Sequence, residues 1–573
     1  MPPPRGCNHF VLPTQDCVRL RDLVLGYFRC LPTEGGAGED ARTTAGQETD
    51  GTPLQSAILS PVAHLAAPVL EAKSESWSMR RRFSLELLGI LLFTVLGFLV
   101  MGYHPGLEDD GIYLAAVKAD LNPALFPYNA KFFQLQVEAT VFDGSMAHFV
   151  RWTGMPVAWA ELFWQLVSLF LILWAVKKIA GRLFAEERMR WAGVALVAAM
   201  FTLPVSGTAL YLVDQHLHPR SLATAMILLA IWRILEGRHG QAAPLLLVAF
   251  LLHPMMAAMG ISFCFFLTLA LLDFLHVRLR AWRNWRNSMA AFVFVPLGWV
   301  FEPADPGWRR ALDTRTYYYL FKWTWYEWLG ALAPLFLFWL LWRVARNRGD
   351  ILLSRFAFAV FAYGVFHQVL AMAMLSSPSL VRLTPLQPMR YLHLVYFLFM
   401  LTAGCLLGKY ALKRSVWRWA AFLLVANGSM FAWQQVQFSG SHHLEFPGRQ
   451  PANDWLQAFG WIKEHTPEDA YFALDPYYMK APGEDYHGFR ALAERSQLAD
   501  AVKDAAVVTL VPELGPVWAR QVEAQKGWRD FQLADFERLK AQFGVDWVLV
   551  SYPQPGGIAC RWHNRLLTVC QIP

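Results

Sequence analysis

Three adjacent carboxylates, Glu108, Asp109 and Asp110, follow a long apolar run in the stretch YHPGLEDDGIYLAAVKADLNPALFPYNAKFF (103–133). Carboxylates beside a membrane are costly unless solvated, paired or bound to a cation. Such a group can take a proton from an attacking hydroxyl or ligate a divalent metal. The plainer reading is a solvated acidic loop that helps set topology. Three histidines fall on the same expected side of the membrane: His216 and His218 in DQHLHPR, and His253 in LLHP. With the carboxylates they could compose a metal or proton-transfer site. The His216/His218 spacing turns both rings toward one ligand only in extended chain, and His253 before Pro254 reads more simply as a helix-end device. His367, in the middle of an apolar run, is a functional hint by position and equally a packed histidine beside Gln368.

Other chemistries find no residues to carry them. The sequence has no GxxxxGK[ST], no GxGxxG after a strand, no GxSxG and no HExxH. Of its 7 cysteines, none shows zinc-finger spacing. Cys264 and Cys405 lie in apolar runs and read as packing residues. Cys560 and Cys570 close the chain at a separation that suits two paired strands and, outside the cytoplasm, a disulfide.

The elements that must position these groups are membrane helices. Hydrophobic residues make up 55% of the 573-residue chain and charged residues only 17%, against roughly 25% charged in a soluble domain. The net charge of +7 lies in short loops between apolar runs and is a topology signal, so nucleic acid is not an expected partner. Residues 1–78 lack periodicity and read as a disordered extension, or as sequence upstream of a true start at Met79. From Met79 the pattern predicts about eleven spans: 83–103, 157–176, 191–212, 221–235, two helices within 241–274 broken at His253-Pro254, then 288–301, 329–344, 356–375, 391–411 and 419–436. With the amino terminus inside, the Lys/Arg-dense loops 177–190, 236–240, 276–287, 345–355 and 412–418 all fall inside. The first outer loop is then 104–156, and residues 437–573 lie outside. Those terminal residues alternate helix and strand patterns, with AAVVTLV read as a strand and Gly544 as a helix stop, which implies a small α/β domain. The expected fold class is therefore mainly α: a polytopic helical membrane domain, 79–436, with a small extracytoplasmic α/β domain at its end.

The acidic motif just past the first span, the short helices of LHPRSLATAMILLAIWRILEGRHGQAAPLLLVAFLLHP and the outer α/β tail together resemble the GT-C superfamily of integral membrane glycosyltransferases. The resemblance covers roughly 79–573, and the tail segments TPEDAYFALDP and FRALAERS look most like those of bacterial members of that wider group. It implies an inner-membrane enzyme that takes a sugar from a polyisoprenyl-phosphate carrier and passes it to an acceptor on the outer face. Asp109 or Asp110 would match the family's loop carboxylate, as base or metal ligand, with Glu108 as helper; a divalent metal is left open as cofactor. The carrier phosphate would need cations at the interface, for which Arg220, Arg382 and Arg390 are candidates, although arginines also snorkel there as anchors. His218 and His253 would stand beside them. Tyr318, with Tyr317, Tyr319, Trp323 and Trp325 in RRALDTRTYYYLFKWTWYEW, could stack on a sugar, or belong to the aromatic belt. In the tail, Arg490 and Arg495 read as structural, with Glu494 or Asp485 as ion-pair partners. Two other classes remain. A transporter or flippase predicts buried intramembrane charges and an internal repeat, neither of which is conspicuous. A non-catalytic assembly protein predicts carboxylates turned away from any cavity.

Overall fold

The computed structural model describes residues 83–272, 304–375 and 378–573, all within one compact unit that begins at Ser76. The expected disordered extension, the basic loop 276–287 and the expected span 288–301 lie outside these residues.

Among the described residues, six helices are long and apolar enough to cross a membrane: Phe83–Met101, Val157–Leu183, Pro254–Leu271, Trp325–Asn347, Ile351–Leu375 and Leu380–Leu412. At 1.5 Å per residue, each approaches or exceeds the thickness of the hydrocarbon layer. The helices Pro219–Leu235, His239–Leu252 and Val416–Gln437 join them. The expected span 191–212 does not form as one helix. Its helix, Glu187–Ala199, stops early, and the chain turns into a two-stranded hairpin, β1 (Pro204–Val205) and β2 (Leu210–Tyr211). Pro204 cannot donate to a continuing helix. Gly207 (φ +63) lies against Trp323, where a Cβ would come within 2.2 Å of the indole.

Two His-Pro pairs start helices in the same way. His218 Nδ1 accepts from Arg220 N at 2.9 Å ahead of Pro219–Leu235, and His253 Nδ1 accepts from Met256 N at 3.4 Å ahead of Pro254–Leu271. Each ring supplies the side-chain acceptor that an N-cap requires, and the following proline sits where its missing N–H costs nothing. His253 is therefore the helix-end device expected of it, and it alone separates His239–Leu252 from Pro254–Leu271.

Three short helices, Asp110–Leu121, Lys131–Val137 and Phe142–Thr153, fill the first loop. The tail holds a five-stranded mixed sheet in the order β4-β3-β5-β7-β6, with β3 Tyr471–Leu474, β4 Ser496–Gln497, β5 Trp547–Ser551, β6 Ala559–His563 and β7 Leu567–Gln571. β3 runs parallel to β4 and β5, whereas β7 is antiparallel to β5 and β6. Cys560 and Cys570 are register partners on β6 and β7 and form a disulfide.

The AAVVTLV segment is not a strand. All of it but Val511 lies within the helix Lys503–Leu510, whose start is fixed by Asp500: its Oδ1 accepts from Val502 N at 2.7 Å and from Lys503 N at 2.5 Å. That local turn outweighs the β-branched run. The helix is buried against the first loop. Ala505, Val507 and Val508 share one apolar core with Ile112, Phe132, Phe133 and Trp308, and Trp308 Nε1 donates to Thr509 O at 3.1 Å. The tail thus contributes part of the floor on which the first loop rests.

Candidate functional site

The chain leaves the first membrane helix through Gly102 (φ +81) and Gly106 (φ +78), and Glu108 itself is held at φ +53. Positive φ at a non-glycine residue is uncommon and marks an imposed turn. Its consequence is that Asp110 faces away from Glu108 and Asp109, which share Lys503.

Asp110 turns inward. It is 2% exposed, its Oδ2 accepts from Gly106 N at 2.6 Å, and Glu161 of the helix Val157–Leu183 lies beside it. Burial pushes its carboxyl above the usual carboxylate range. Asp109 stays partly open, its side chain 31% exposed. Its Oδ1 lies 3.1 Å from Lys503 Nζ, and its Oδ2 lies 3.6 Å from His218 Nε2. Burial alone would raise Asp109, but the Lys503 ammonium, and after it His218, outweigh burial and hold its carboxyl well below the ordinary range. Glu108 pairs with the same lysine. Burial and the Arg220 charge lower the His218 imidazole to about 4, so the ring is neutral at pH 7. Because its Nδ1 accepts from Arg220 N, the proton sits on Nε2, facing Asp109.

Behind this pair lie the cations. Arg220 is buried, and one guanidinium nitrogen, Nη2, donates to Asp214 Oδ1 at 2.6 Å. Its Nε and Nη1 make no hydrogen bond. Arg390 donates from Nε to Gln387 Oε1 at 2.6 Å. Gln387 in turn donates to the Tyr318 hydroxyl at 2.8 Å. Arg220 and Arg390 are close enough to interact, and both charges act on Asp109. The His218 and His253 rings stack at 5.9 Å, and His216 lies 5.9 Å from His218. A small cavity opens beside Arg390, bordered by Thr208, Tyr317, Tyr318, Thr384 and Gln387.

The structure therefore brings Asp109, Glu108, His218, His253, Arg220, Arg390 and Tyr318 to one place and turns Asp110 away from it. Arg382 is half-buried on the 3-10 helix Pro378–Leu386. Trp323 packs on the hairpin at Gly207, and Trp325 is 76% exposed, as in an aromatic belt. His367 bonds Ser262 Oγ at 2.9 Å and stacks on Tyr391, so it is packed within the helices. Arg490 pairs with Asp504 at 2.7 Å rather than with Glu494 or Asp485, and Arg495 donates to the carbonyls of Lys463 and Thr466. Two further residues belong to the site. Lys503 reaches it from the far end of the sequence, with no local signal beyond a lysine entering an apolar run. Arg315, half-buried with two guanidinium nitrogens free of hydrogen bonds, bears on both Lys503 and Tyr318; its place in DTRTYYY, beside the tyrosines, was the available clue.

The long apolar helices and the polar cluster held between their connecting loops settle the class. The chain is a multi-span membrane protein. No family model matches it, and no curated protein does. Solved structures do match. One is the archaeal oligosaccharyltransferase AglB from Archaeoglobus fulgidus in complex with an inhibitory peptide and a dolichol-phosphate. It has TM-score 0.41 and 12% identity over 81% of this chain and 69% of that one. Another is the Archaeoglobus fulgidus oligosaccharyltransferase in the apo form, with TM-score 0.20 and 13% identity over 82% of this chain and 57% of that one. At these scores the functional reading rests on the residues of the site itself.

Proposed function

We propose that the protein is a GT-C-like membrane glycosyltransferase. It would move a sugar from a polyisoprenyl-phosphate carrier to an acceptor on the outer face of a bacterial-type cytoplasmic membrane, with its amino terminus inside and its tail outside. One observation carries the reading. A partly open carboxylate, Asp109, is kept ionised within the electrostatic reach of two arginines, of which Arg220 has unspent donors. A solvated topology loop has no use for such a pairing, and group transfer from a phosphate needs both halves.

The acceptor hydroxyl oxygen bonds to the anomeric carbon as the bond from that carbon to the carrier phosphate oxygen breaks. Asp109 takes the hydroxyl proton. The carrier phosphate leaves with the bonding pair, and Arg220 and Arg390 take up its charge. Lys503 and the Nε2–H of His218 keep Asp109 oriented and charged, with Glu108 sharing the lysine. Tyr318 and Tyr317 border the small cavity beside Arg390. Should a divalent cation take part, Asp109 would hold it, and the ion would add positive charge at the leaving phosphate; His218 would not be a ligand, because its Nδ1 accepts from Arg220 N. The Cys560–Cys570 disulfide supports the outward tail, since such bonds persist outside the cytoplasm.

The test is the lipid-linked sugar pool of a deletion strain. One polyisoprenyl-linked sugar should accumulate, and it should clear on complementation with the wild-type chain but not with Asp109→Asn. An unchanged pool, or full rescue by Asp109→Asn, refutes the proposal.

A further inference from the structure

Apart from the carboxylate–arginine cluster, a second set of ligating side chains lies where the tail meets the first membrane helix. His104, Glu445 and His487 each direct one ligand atom into a common point, all within 4.8 Å of one another. His104 Nδ1 stands 3.4 Å from Glu445 Oε2, and His487 Nε2 stands 3.2 Å from the same oxygen. Zinc bonds of roughly 2.0–2.1 Å in tetrahedral array place neighbouring ligand atoms about 3.3 Å apart, which both separations match. Both imidazoles are fully buried, and neither ring nitrogen of His104 makes a hydrogen bond. A buried imidazole that makes no hydrogen bond is costly, and an ion held between it and Glu445 would relieve that cost.

We infer that His104, Glu445 and His487 form a zinc site that clasps the tail domain to the outer end of the first membrane helix. Two imidazoles and one carboxylate suit zinc better than magnesium or calcium, which favour all-oxygen shells. Glu484 lies beside the ligand imidazole, its Oε1 3.8 Å from His487 Nδ1 and accepting from His487 N. Phe438 covers His104 with ring centroids 4.3 Å apart. A fourth position is left for water.

The placement gives the clasp a purpose. His104 follows the helix Phe83–Met101, Glu445 lies on the segment after the last membrane helix, and His487 belongs to the tail. Backbone bonds already run alongside: Glu445 N to Tyr103 O at 2.9 Å, Glu108 N to Tyr486 O at 2.9 Å and Gly488 N to Gly106 O at 2.8 Å. An ion bound to all three side chains would therefore fix the turn that presents Glu108 and Asp109.

The experiment uses the full chain with its affinity tag removed, in lipid nanodiscs, stripped with chelator, resaturated with zinc and washed. The variants are Glu445→Gln, which preserves volume, and His487→Gln. Each is made in the parent and in Asp109→Asn, so that metal at the carboxylate cluster is counted separately. Mass spectrometry should find one zinc fewer per chain for either variant in both backgrounds. Cobalt in place of zinc should give the visible absorption of a tetrahedral site in the parent and lose it in Glu445→Gln. Zinc should slow hydrogen exchange of the Glu445 amide at least tenfold in the parent and leave Glu445→Gln unchanged. Equal zinc content in the parent and both variants overturns the site. One equivalent lost without any change in exchange overturns the clasp. Glycosyl transfer is not read, so the outcome is independent of the proposed activity.

Discussion

Lys503→Met tests whether the tail completes the site, because it removes the ammonium while keeping most of the buried side-chain volume. The Lys503–Asp109 contact at 3.1 Å corresponds to about 1 kcal/mol of attraction at the dielectric of water and about 5 kcal/mol at an effective value of 20. The Asp109 side chain is 31% exposed, and solvent screening places the contribution near the lower end, roughly 1–2 kcal/mol with Glu108 included. About 1.4 kcal/mol is tenfold in an equilibrium constant. The contact between first loop and tail should therefore open about tenfold more often in the variant. The amides of Glu108 and Gly488, which donate across that contact, report this as about tenfold faster hydrogen exchange at pH 7. The sign of the pH dependence follows from Asp109. Its folded pKa is depressed, so the stabilisation is fully present above the unfolded value of about 3.9 and is lost only as pH falls through the lower folded value. The difference between wild type and variant should hold at pH 5 and close well below pH 4. Equal exchange at pH 7 refutes the docking argument, and a difference that vanishes between pH 7 and pH 5 assigns the effect to a histidine.

Arg490→Met should leave Asp504 buried and unpaired, a loss of about 3–5 kcal/mol, seen as early melting of the tail by tryptophan fluorescence; Asp504→Asn together with Arg490→Met should recover part of it. Replacing Cys560 and Cys570 by serine opens a loop with a sequence separation of 10 and should cost about 2–3 kcal/mol on the chain-entropy estimate, while protein taken from the native membrane should show no free thiol at either position. Gly488→Ala drives a Cβ to within 2.5 Å of the Gly111 Cα, backbone against backbone, and should cost about 1–3 kcal/mol and expose the 437–453 segment to protease. His218→Ala should slow the proposed transfer by weakening the hold on Asp109, and His218→Gln, which keeps a side-chain donor, should restore more of it than alanine does.

What the sequence disclosed and what it withheld divide along a physical line. Apolar runs disclosed membrane helices because the bilayer demands length and hydrophobicity wherever the helix packs. The His-Pro pairs disclosed helix starts because capping is local. The register pairing of Cys560 with Cys570 followed from a short hairpin, also local. The failures arose where a local preference met a competing contact. The 191–212 run is apolar enough to span, yet Pro204 and the Gly207–Trp323 contact bend it into a hairpin. AAVVTLV has strand-forming residues, yet the turn that Asp500 fixes ahead of it starts a helix and the first loop buries it. The pairing of Lys503 with Asp109 joins residues nearly four hundred positions apart (a separation of 394), and no spacing rule reaches that far.

That long-range pairing also bears on what kind of protein this is. A tail that only bound a partner would have no reason to send a lysine into the membrane domain's acidic turn, and an acidic turn that only set topology would have no reason to receive one. Three backbone hydrogen bonds, at Glu108, Glu445 and Gly488, tie the same turn to the tail and to the segment that leads into it, and Gly111 and Gly488 meet with no room for a side chain between them. Asp109 consequently takes its position and its charge from two ends of the chain at once. If the carboxylate works, it works only when the tail is docked. A truncation at residue 436 should therefore lose transfer completely, even where the helices still insert, whereas an added tail in trans should restore activity only to the extent that it restores protection of the Glu108 amide.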